Sequence, residues 1–155
     1  MKKFHWILSL LLGAGLLTSA WAQGKSLYER LGGEPAITAV VEDFVGRAAG
    51  DPKVNFFRDG EYKGLDVARL KQLLVEFIGK ATGGPQEYTG RNMKQTHQGM
   101  KITNAEFDAL AADLAASLDK FNVPAKEKNE LLTIVGTTRK DIVEAKPASG
   151  SGSGY

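Results

Sequence analysis

The stretch "GGPQEYTGRNMKQTHQGMKIT", residues 83–103, decides how this chain folds around its internal histidine. Its glycines and proline predict a loop. The loop leads directly into Met93, His97 and Met100, whose spacing is that of one face of a helical turn. The chain has two histidines and no cysteine, and the other histidine stands at position 5. The sequence therefore predicts a very short helix that presents His97 after a glycine-rich bend.

Residues 1–22 have the layout of a secretory signal peptide. Lys2 and Lys3 precede an apolar run over residues 6–17, and a small-x-small cleavage signature follows at 20–22. An uncleaved membrane anchor is the alternative, but the apolar run is shorter than the ~20 residues that span a bilayer. We therefore expect cleavage, a periplasmic or secreted protein, and no membrane contact once the peptide is removed.

The composition after the signal peptide is that of one small domain without a charge excess. The full chain carries 20 basic and 18 acidic side chains, and cleavage removes two of the lysines. No stripe of lysines and arginines interleaved with aromatics supports nucleic-acid binding. Without cysteine there are no disulfides, so stability must come from a packed core or a bound ligand. We expect a folded domain over residues 23–145 and a flexible Gly/Ser-rich tail over 146–155.

Apolar periodicity indicates helices along the whole domain and no strands. Capping boxes predict helix starts at Ser26 and Thr103, and Pro35 and Pro124 suit the first turns of two further helices. The pattern predicts two long helices before the bend and two after it, the last running from Pro124 to include Ile142. Because two pairs of apolar stripes can enclose a core, we predict an all-α domain.

His97 by itself is an ambiguous signal, since a lone histidine is more often a surface or core residue than a ligand. Zinc would need three or four ligating side chains, and no serine or cysteine triad can be assembled. General acid–base work by His97 has no paired carboxylate nearby in the sequence. Haem differs, because one imidazole and an apolar slot are enough to hold it. The side chains that could line such a slot, each more typical of plain core when taken alone, are Phe44, Phe56, Phe57, Leu70, Leu74, Phe77, Met93, Ile102 and Phe107.

An ordered set of motifs resembles the group I truncated haemoglobins, in a bacterial exported form. These motifs are "SLYERLGG" at 26–33, "VVEDF" at 40–44, "FF" at 56–57 and "MKQTHQGM" at 93–100, and the likeness extends over residues 26–144. The resemblance implies a shortened globin fold, a two-over-two helical sandwich that holds one haem b per chain between its layers.

The same resemblance assigns roles to individual residues. His97 matches the proximal iron ligand, with Nε2 coordinating and Nδ1–H donating to the carbonyl of Met93. Phe57 matches the aromatic side chain that packs on the haem, whereas Phe56 belongs to the core or touches the ring. The chain has neither a C-x-x-C-H motif nor a histidine in its last helix, so we expect the haem to be noncovalent.

The side of the haem opposite His97 departs from the family pattern. Val45 stands where the family usually has tyrosine, and Leu70 and Leu74 stand where polar residues are common. Such a lining lacks the hydrogen bond, worth ~1.5–3 kcal/mol, that stabilises partly anionic bound O2. We therefore predict a five-coordinate iron, weak O2 binding and poor discrimination against CO. Tyr62 could fold over this distal pocket as a substitute donor, although a tyrosine in a turn more often faces solvent.

Three cations are candidates to pair with the haem propionates. Arg69 and Lys71 lie near the start of the third long helix, and Lys94 lies one turn before His97. The alternative, that these are solvated charges, is equally supported by the sequence.

Reversible binding of O2, CO or NO is the function that the resemblance favours, with no residue in a catalytic role. Turnover as an NO dioxygenase would need a persistent O2 complex and a reductase, and the aliphatic lining and the exported location disfavour both. Haem-mediated electron transfer with a periplasmic cytochrome is a second hypothesis. A helical interaction module that has lost haem is the third, and His97, Phe57 and the apolar slot argue against it.

Overall fold

The computed structural model describes residues 24–62 and 64–144, and in these ranges the chain forms helices and turns without a strand. The signal peptide predicted over 1–22 and the tail predicted over 146–155 lie outside the described residues. The helices are α1 (Leu27–Arg30), α2 (Gly33–Gly50), α3 (Val67–Ala81), α4 (Met93–His97), α5 (Asn104–Lys120), α6 (Ala125–Gly136) and α7 (Arg139–Ile142), with a 3-10 turn at Arg58–Gly60. The all-α prediction is confirmed. Within the described ranges, no helix is both long enough and apolar enough to span a bilayer.

Both predicted capping boxes are present. The Ser26 hydroxyl accepts the Glu29 N–H at 3.2 Å, and the Glu29 carboxylate accepts the Ser26 N–H at 2.8 Å. Thr103 and Glu106 repeat the arrangement at 3.2 and 2.7 Å. Each box satisfies N–H groups that the geometry of a helix start leaves without partners. These side chains therefore set where α1 and α5 begin.

Two pairs of helices form the body of the molecule. α2 packs on α3, α5 packs on α6, and contact between α2 and α5 joins the pairs into a two-over-two sandwich. The largest fully buried apolar side chains come from the facing stripes, namely Val41 and Val45 on α2, Leu118 on α5 and Leu131 on α6. Burying an aliphatic side chain of this size contributes roughly 1.5–3 kcal/mol. The core therefore sits between the pairs.

The prediction of one continuous last helix is wrong, because the chain forms two helices there, α6 and α7. The hydroxyls of Thr137 and Thr138 donate to the carbonyls of Ile134 and Val135 at 2.6 and 2.7 Å. Threonine hydroxyls that bond to nearby carbonyls compete with the helical backbone pattern. After this break, α7 contacts α4 and carries Ile142 to the neighbourhood of His97.

The glycine-rich bend between α3 and α4 is anchored to the N-terminal part of the chain. Gly83 adopts a φ of +85°, which residues other than glycine rarely adopt. The backbone N–H of Tyr28 donates to the Thr82 carbonyl at 2.9 Å, and the Tyr28 hydroxyl accepts the side-chain amide of Gln86, also at 2.9 Å. The chain is therefore redirected and held in place before α4 begins.

Candidate functional site

His97 is the last residue of α4, a helix of five residues that begins where the Asn92 side chain accepts the Gln95 N–H at 2.8 Å. The imidazole is half-buried, and its Nδ1 lies 2.8 Å from the carbonyl oxygen of Met93. Because a carbonyl oxygen can only accept, Nδ1 is the donor to Met93, and Nε2 is the nitrogen left to take a ligand. The predicted contact between His97 and Met93 is confirmed.

Two cavities meet at His97. The first has a volume of about 210 Å³ and the second a volume of about 300 Å³. Leu65, Leu70, Thr96 and His97 line both of them, so the cavities adjoin beside α3 and α4, and we call the pair the cleft. Ligand pockets in proteins typically measure roughly 300–1,000 Å³. The cleft as a whole is therefore of ligand-binding size, with the imidazole at its centre.

Most of the residues predicted for the site line this cleft. The first cavity is lined by Phe56, Tyr62, Ile102 and Phe107, and the second by Leu74 and Met93. Leu70 and His97 line both cavities. Apart from His97 and the hydroxyl of Tyr62, these side chains are apolar. The predicted apolar slot and the predicted histidine are thus brought together, while the contact of each residue with a cofactor stays a prediction.

Three of the residues predicted for the apolar slot and the distal pocket do not line the cleft. Phe44 and Val45 lie on α2 and are buried in the core, with 7% and 2% of their surface exposed. Phe57 packs edge-on against Phe56, with ring centroids 5.1 Å apart. The sequence predicted both rings for the slot, with Phe57 packing on the haem and Phe56 either in the core or touching the ring, whereas in the structure only Phe56 of the pair lines the first cavity.

The first cavity also has walls that sequence reasoning missed. Leu110 follows Phe107 by one helical turn on α5, so the apolar stripe of that helix could have identified it. Arg58 and Ile142 come from distant parts of the chain and gave no local signal. Their place in the wall depends on how the 3-10 turn and α7 pack against the body of the molecule.

The second cavity has a charged rim. Arg69 and Arg91 both line it, and Arg69 also donates to the Thr89 hydroxyl at 2.7 Å. Of the other two predicted propionate partners, Lys71 is paired with Glu42, and neither Lys71 nor Lys94 lines the cleft. The rim therefore offers two guanidinium groups, one of which the sequence had not suggested.

Hydrogen bonds and burial shape the titration of groups beside the cleft. The N–H and hydroxyl of Thr89 bond to the Glu76 carboxylate and hold its pKa below the usual range. Burial raises the pKa of Tyr88, whose hydroxyl donates to the Arg91 carbonyl at 2.8 Å. Glu76 thus stays anionic and Tyr88 stays a neutral donor at neutral pH. Both tie the bend to the rim of the second cavity.

Two carboxylates lie close to the loop that follows His97. Burial acts to raise the pKa of Glu106, but hydrogen bonds from Thr103 and Arg58 outweigh it and lower the pKa overall. The N–H groups of Gly99 and Lys101 lower the pKa of Glu144. Both side chains are therefore anionic at neutral pH and able to hold donors in place.

Comparison with known proteins agrees with this geometry. The profile of the bacterial-like globin family matches residues 26–144. The group 1 truncated haemoglobin GlbN of Mycolicibacterium paratuberculosis is 38% identical over 121 residues, covering 78% of this chain and 86% of that protein. The group 1 truncated haemoglobin of Tetrahymena pyriformis is 34% identical over 119 residues, covering 77% of this chain and 95% of that protein.

Solved structures show the same architecture. The Fe(III) form of the Tetrahymena pyriformis truncated haemoglobin superposes with a TM-score of 0.71, covering 77% of this chain and 98% of that one. The 2/2 haemoglobin from Synechococcus, solved in the cyanomet state with covalently attached haem, gives a TM-score of 0.69 at 36% identity, with the same coverage. The predicted two-over-two sandwich is confirmed. With its fold, its histidine and its sequence in agreement, this chain belongs to the bacterial-like globins and, within them, to the group 1 truncated haemoglobins.

Proposed function

We propose that His97 holds a single noncovalent haem b in the cleft and that the protein binds diatomic gases reversibly. The observation that carries this proposal is the position of the imidazole where two mainly apolar cavities adjoin, with Nδ1 bonded to the Met93 carbonyl and Nε2 left to take a ligand. When bound, the haem supplies an iron with one position open to O2, CO or NO. Gas binding is the function that fits a globin family and one histidine ligand.

The residues around His97 suit a large apolar ring with two charged edge groups. Phe56, Ile102 and Phe107 offer aromatic and aliphatic walls in the first cavity. Arg69 and Arg91 stand at the second cavity, where guanidinium groups could pair with carboxylates. The chain has no cysteine and no second histidine after position 5, which leaves noncovalent binding. The same scarcity of ligands supports a five-coordinate iron.

Hemin reconstitution tests this proposal. We expect a Soret band in the reconstituted protein and its loss or marked shift in His97→Ala, with recovery on adding free imidazole. Gln95→Ala is the matched control, because Gln95 lies on the same helix and is exposed. A spectrum in His97→Ala that equals that of the unmodified protein would rule out His97 as the ligand.

The distal side sets how tightly each gas is held. Leu70 and Leu74 present aliphatic surface to the cleft, and Val45 is buried in the core. We propose that the protein holds O2 weakly for its family, because no glutamine or tyrosine occupies these positions. The missing hydrogen bond corresponds to about a tenfold to hundredfold faster O2 release, with little effect on CO.

Tyr62 provides the means of testing this distal proposal. Its side chain lines the first cavity, and its hydroxyl forms no hydrogen bond with the described residues. We expect O2 and CO dissociation from Tyr62→Phe to match those of the unmodified protein, as measured by flash photolysis and stopped flow. Slow O2 release that accelerates tenfold in Tyr62→Phe would contradict the proposal and make Tyr62 the distal donor.

We further propose that the protein is exported and receives electrons from a reductase or cytochrome. The support is the layout of residues 1–22, with basic residues, an apolar run and a cleavage signature. An electron donor is needed wherever a ferric globin must return to the ferrous state. Cell fractionation of a C-terminally tagged chain, with intact mass to locate cleavage, tests the location. A full-length chain in the cytosol would contradict export.

A further inference from the structure

The helix that carries His97 cannot hold its own position. α4 has five residues, and an isolated helix of that length is far too short to be stable in water. None of its residues is fully buried, so it has no deep apolar anchor either. The orientation of His97 therefore depends on the segments at both ends of α4. Asn92 caps one end, and the other end runs into the α4–α5 loop, residues 98–103.

The α4–α5 loop has a backbone that needs support. Gly99 and Lys101 both have positive φ values, +87° and +54°. The second is unfavourable for a lysine, because its Cβ crowds the backbone in the left-handed region. Met100 closes a turn on the His97 carbonyl at 3.0 Å. A loop of this shape persists where surrounding groups hold it.

Glu144 supplies the first of these supports. Its carboxylate oxygens accept the N–H of Gly99 at 2.9 and 3.0 Å and the N–H of Lys101 at 3.0 Å. Its own N–H donates to the Ile102 carbonyl at 3.0 Å. Glu144, which lies beyond the end of α7, therefore binds three backbone groups of the loop from more than 40 positions away in the sequence.

Arg58 supplies the second support from another direction. Its guanidinium donates to the Met100 carbonyl at 2.6 Å and to the Glu106 carboxylate, also at 2.6 Å. The side chains of Arg58 and Glu106 are only 15% and 16% exposed, so solvent screens this pair less than a surface pair. The loop is thus held by an anion at its N–H groups and by a cation at a carbonyl.

We infer that Glu144 and Arg58 are positioning residues for His97, fixing the α4–α5 loop and through it the orientation of the imidazole. This inference rests on the proposed function in one respect, that His97 is the haem ligand. Neither residue belongs to α4, and among the described residues neither forms a hydrogen bond or an ion pair with the imidazole. Each acts by holding the backbone that leaves His97.

The test compares Glu144→Ala, Glu144→Gln and Arg58→Gln with Glu29→Ala. Glu29 is the matched control, because its carboxylate also accepts a backbone N–H, at Ser26, but lies at α1. In the apoprotein, we expect the amide protons of Gly99 and Lys101 to exchange faster in Glu144→Ala. This readout requires no haem, so it stays informative if the proposed function fails.

In the haem-loaded protein, resonance Raman gives the iron–histidine stretching band and transfer to apomyoglobin gives the rate of hemin loss. We expect a shifted or broadened band and roughly fivefold faster hemin loss in Glu144→Ala and Arg58→Gln. Glu144→Gln keeps one acceptor oxygen, so its band position and hemin-loss rate should lie between those of Glu144→Ala and the unmodified protein. Glu29→Ala should match the unmodified protein. Circular dichroism checks that each variant is folded.

Two results would overturn the inference. In the first, the Gly99 and Lys101 amides exchange faster in Glu144→Ala, but its iron–histidine band and hemin-loss rate equal those of Glu29→Ala. Glu144 would then have a purely local structural role. The other is unchanged amide exchange, which would mean that Glu144 does not hold the loop. If Glu144→Ala is unfolded, Glu144→Gln and Arg58→Gln decide by the same measurements. A protein that never forms a Soret band would instead count against the proposed function.

Discussion

The contact between α2 and α5 and the segment around α4 are built by different physical means. Val41 on α2 and Leu118 on α5 are each 1% exposed and belong to one continuous apolar core. The residues of α4 are half-buried or exposed, and charged side chains from distant positions hold the loop after it. Burial of apolar surface thus gives the molecule its stability, whereas directional polar contacts give His97 its orientation.

Leu118→Ala should give the largest effect on stability and leave the site alone. Removing a fully buried leucine costs about 2–5 kcal/mol through lost transfer energy and the cavity left behind. Urea unfolding of the apoprotein, followed by circular dichroism, measures this loss. Leu132→Ala on α6, where the leucine is half-buried, should cost less than half as much. A changed Soret maximum in Leu118→Ala would show that core and site are not separable.

Gly84→Ala should break the bend that lies between the two regions. A Cβ at this position would lie 2.5 Å from the Tyr28 ring and 2.8 Å from the Gly79 carbonyl oxygen. We expect a loss of about 1–3 kcal/mol, because the backbone must shift to relieve the overlap. Gly46→Ala on α2 is the control, since its Cβ would meet nothing within 4 Å and alanine favours a helix by up to about 1 kcal/mol. Equal stability of the two variants would mean that the bend is not closely packed in solution.

Asp43→Asn should give the smallest effect on stability, through the loss of a charged hydrogen-bond acceptor beside the core. The Asp43 carboxylate accepts hydrogen bonds from Lys120, Arg47 and Ser117, and these donors hold its pKa well below 3.8. Its contribution to stability is complete above the unfolded pKa and is lost as the pH falls through the folded pKa. We therefore expect the Tm to drop by a few degrees at pH 7.

A series of melting curves at decreasing pH checks this prediction. The difference between Asp43→Asn and the unmodified protein should shrink as the pH falls below 3.8, the value expected for the unfolded aspartate. Asp119→Asn is the control, because that aspartate pairs with Lys128 at the surface. A difference that stays constant down to strongly acidic pH would contradict the role of the Asp43 charge.

Features that depend on near neighbours in the chain were predictable. The capping boxes at Ser26 and Thr103, the helical stripes and the contact of His97 with Met93 all join residues three or four positions apart. Helix geometry alone relates such positions, so spacing is enough to identify them. The all-α class and a short helix carrying His97 followed from the same patterns.

Features that depend on packing between distant segments were decided by the tertiary structure. Phe56 and Phe57 are adjacent and chemically identical, so no pattern distinguishes the one that lines the cleft. The supports at Arg58 and Glu144 lie more than 40 positions from the loop they hold, and each is one charged residue among many in the sequence. A hydrogen bond depends on where two atoms lie in space, and that is known only after the helices have packed.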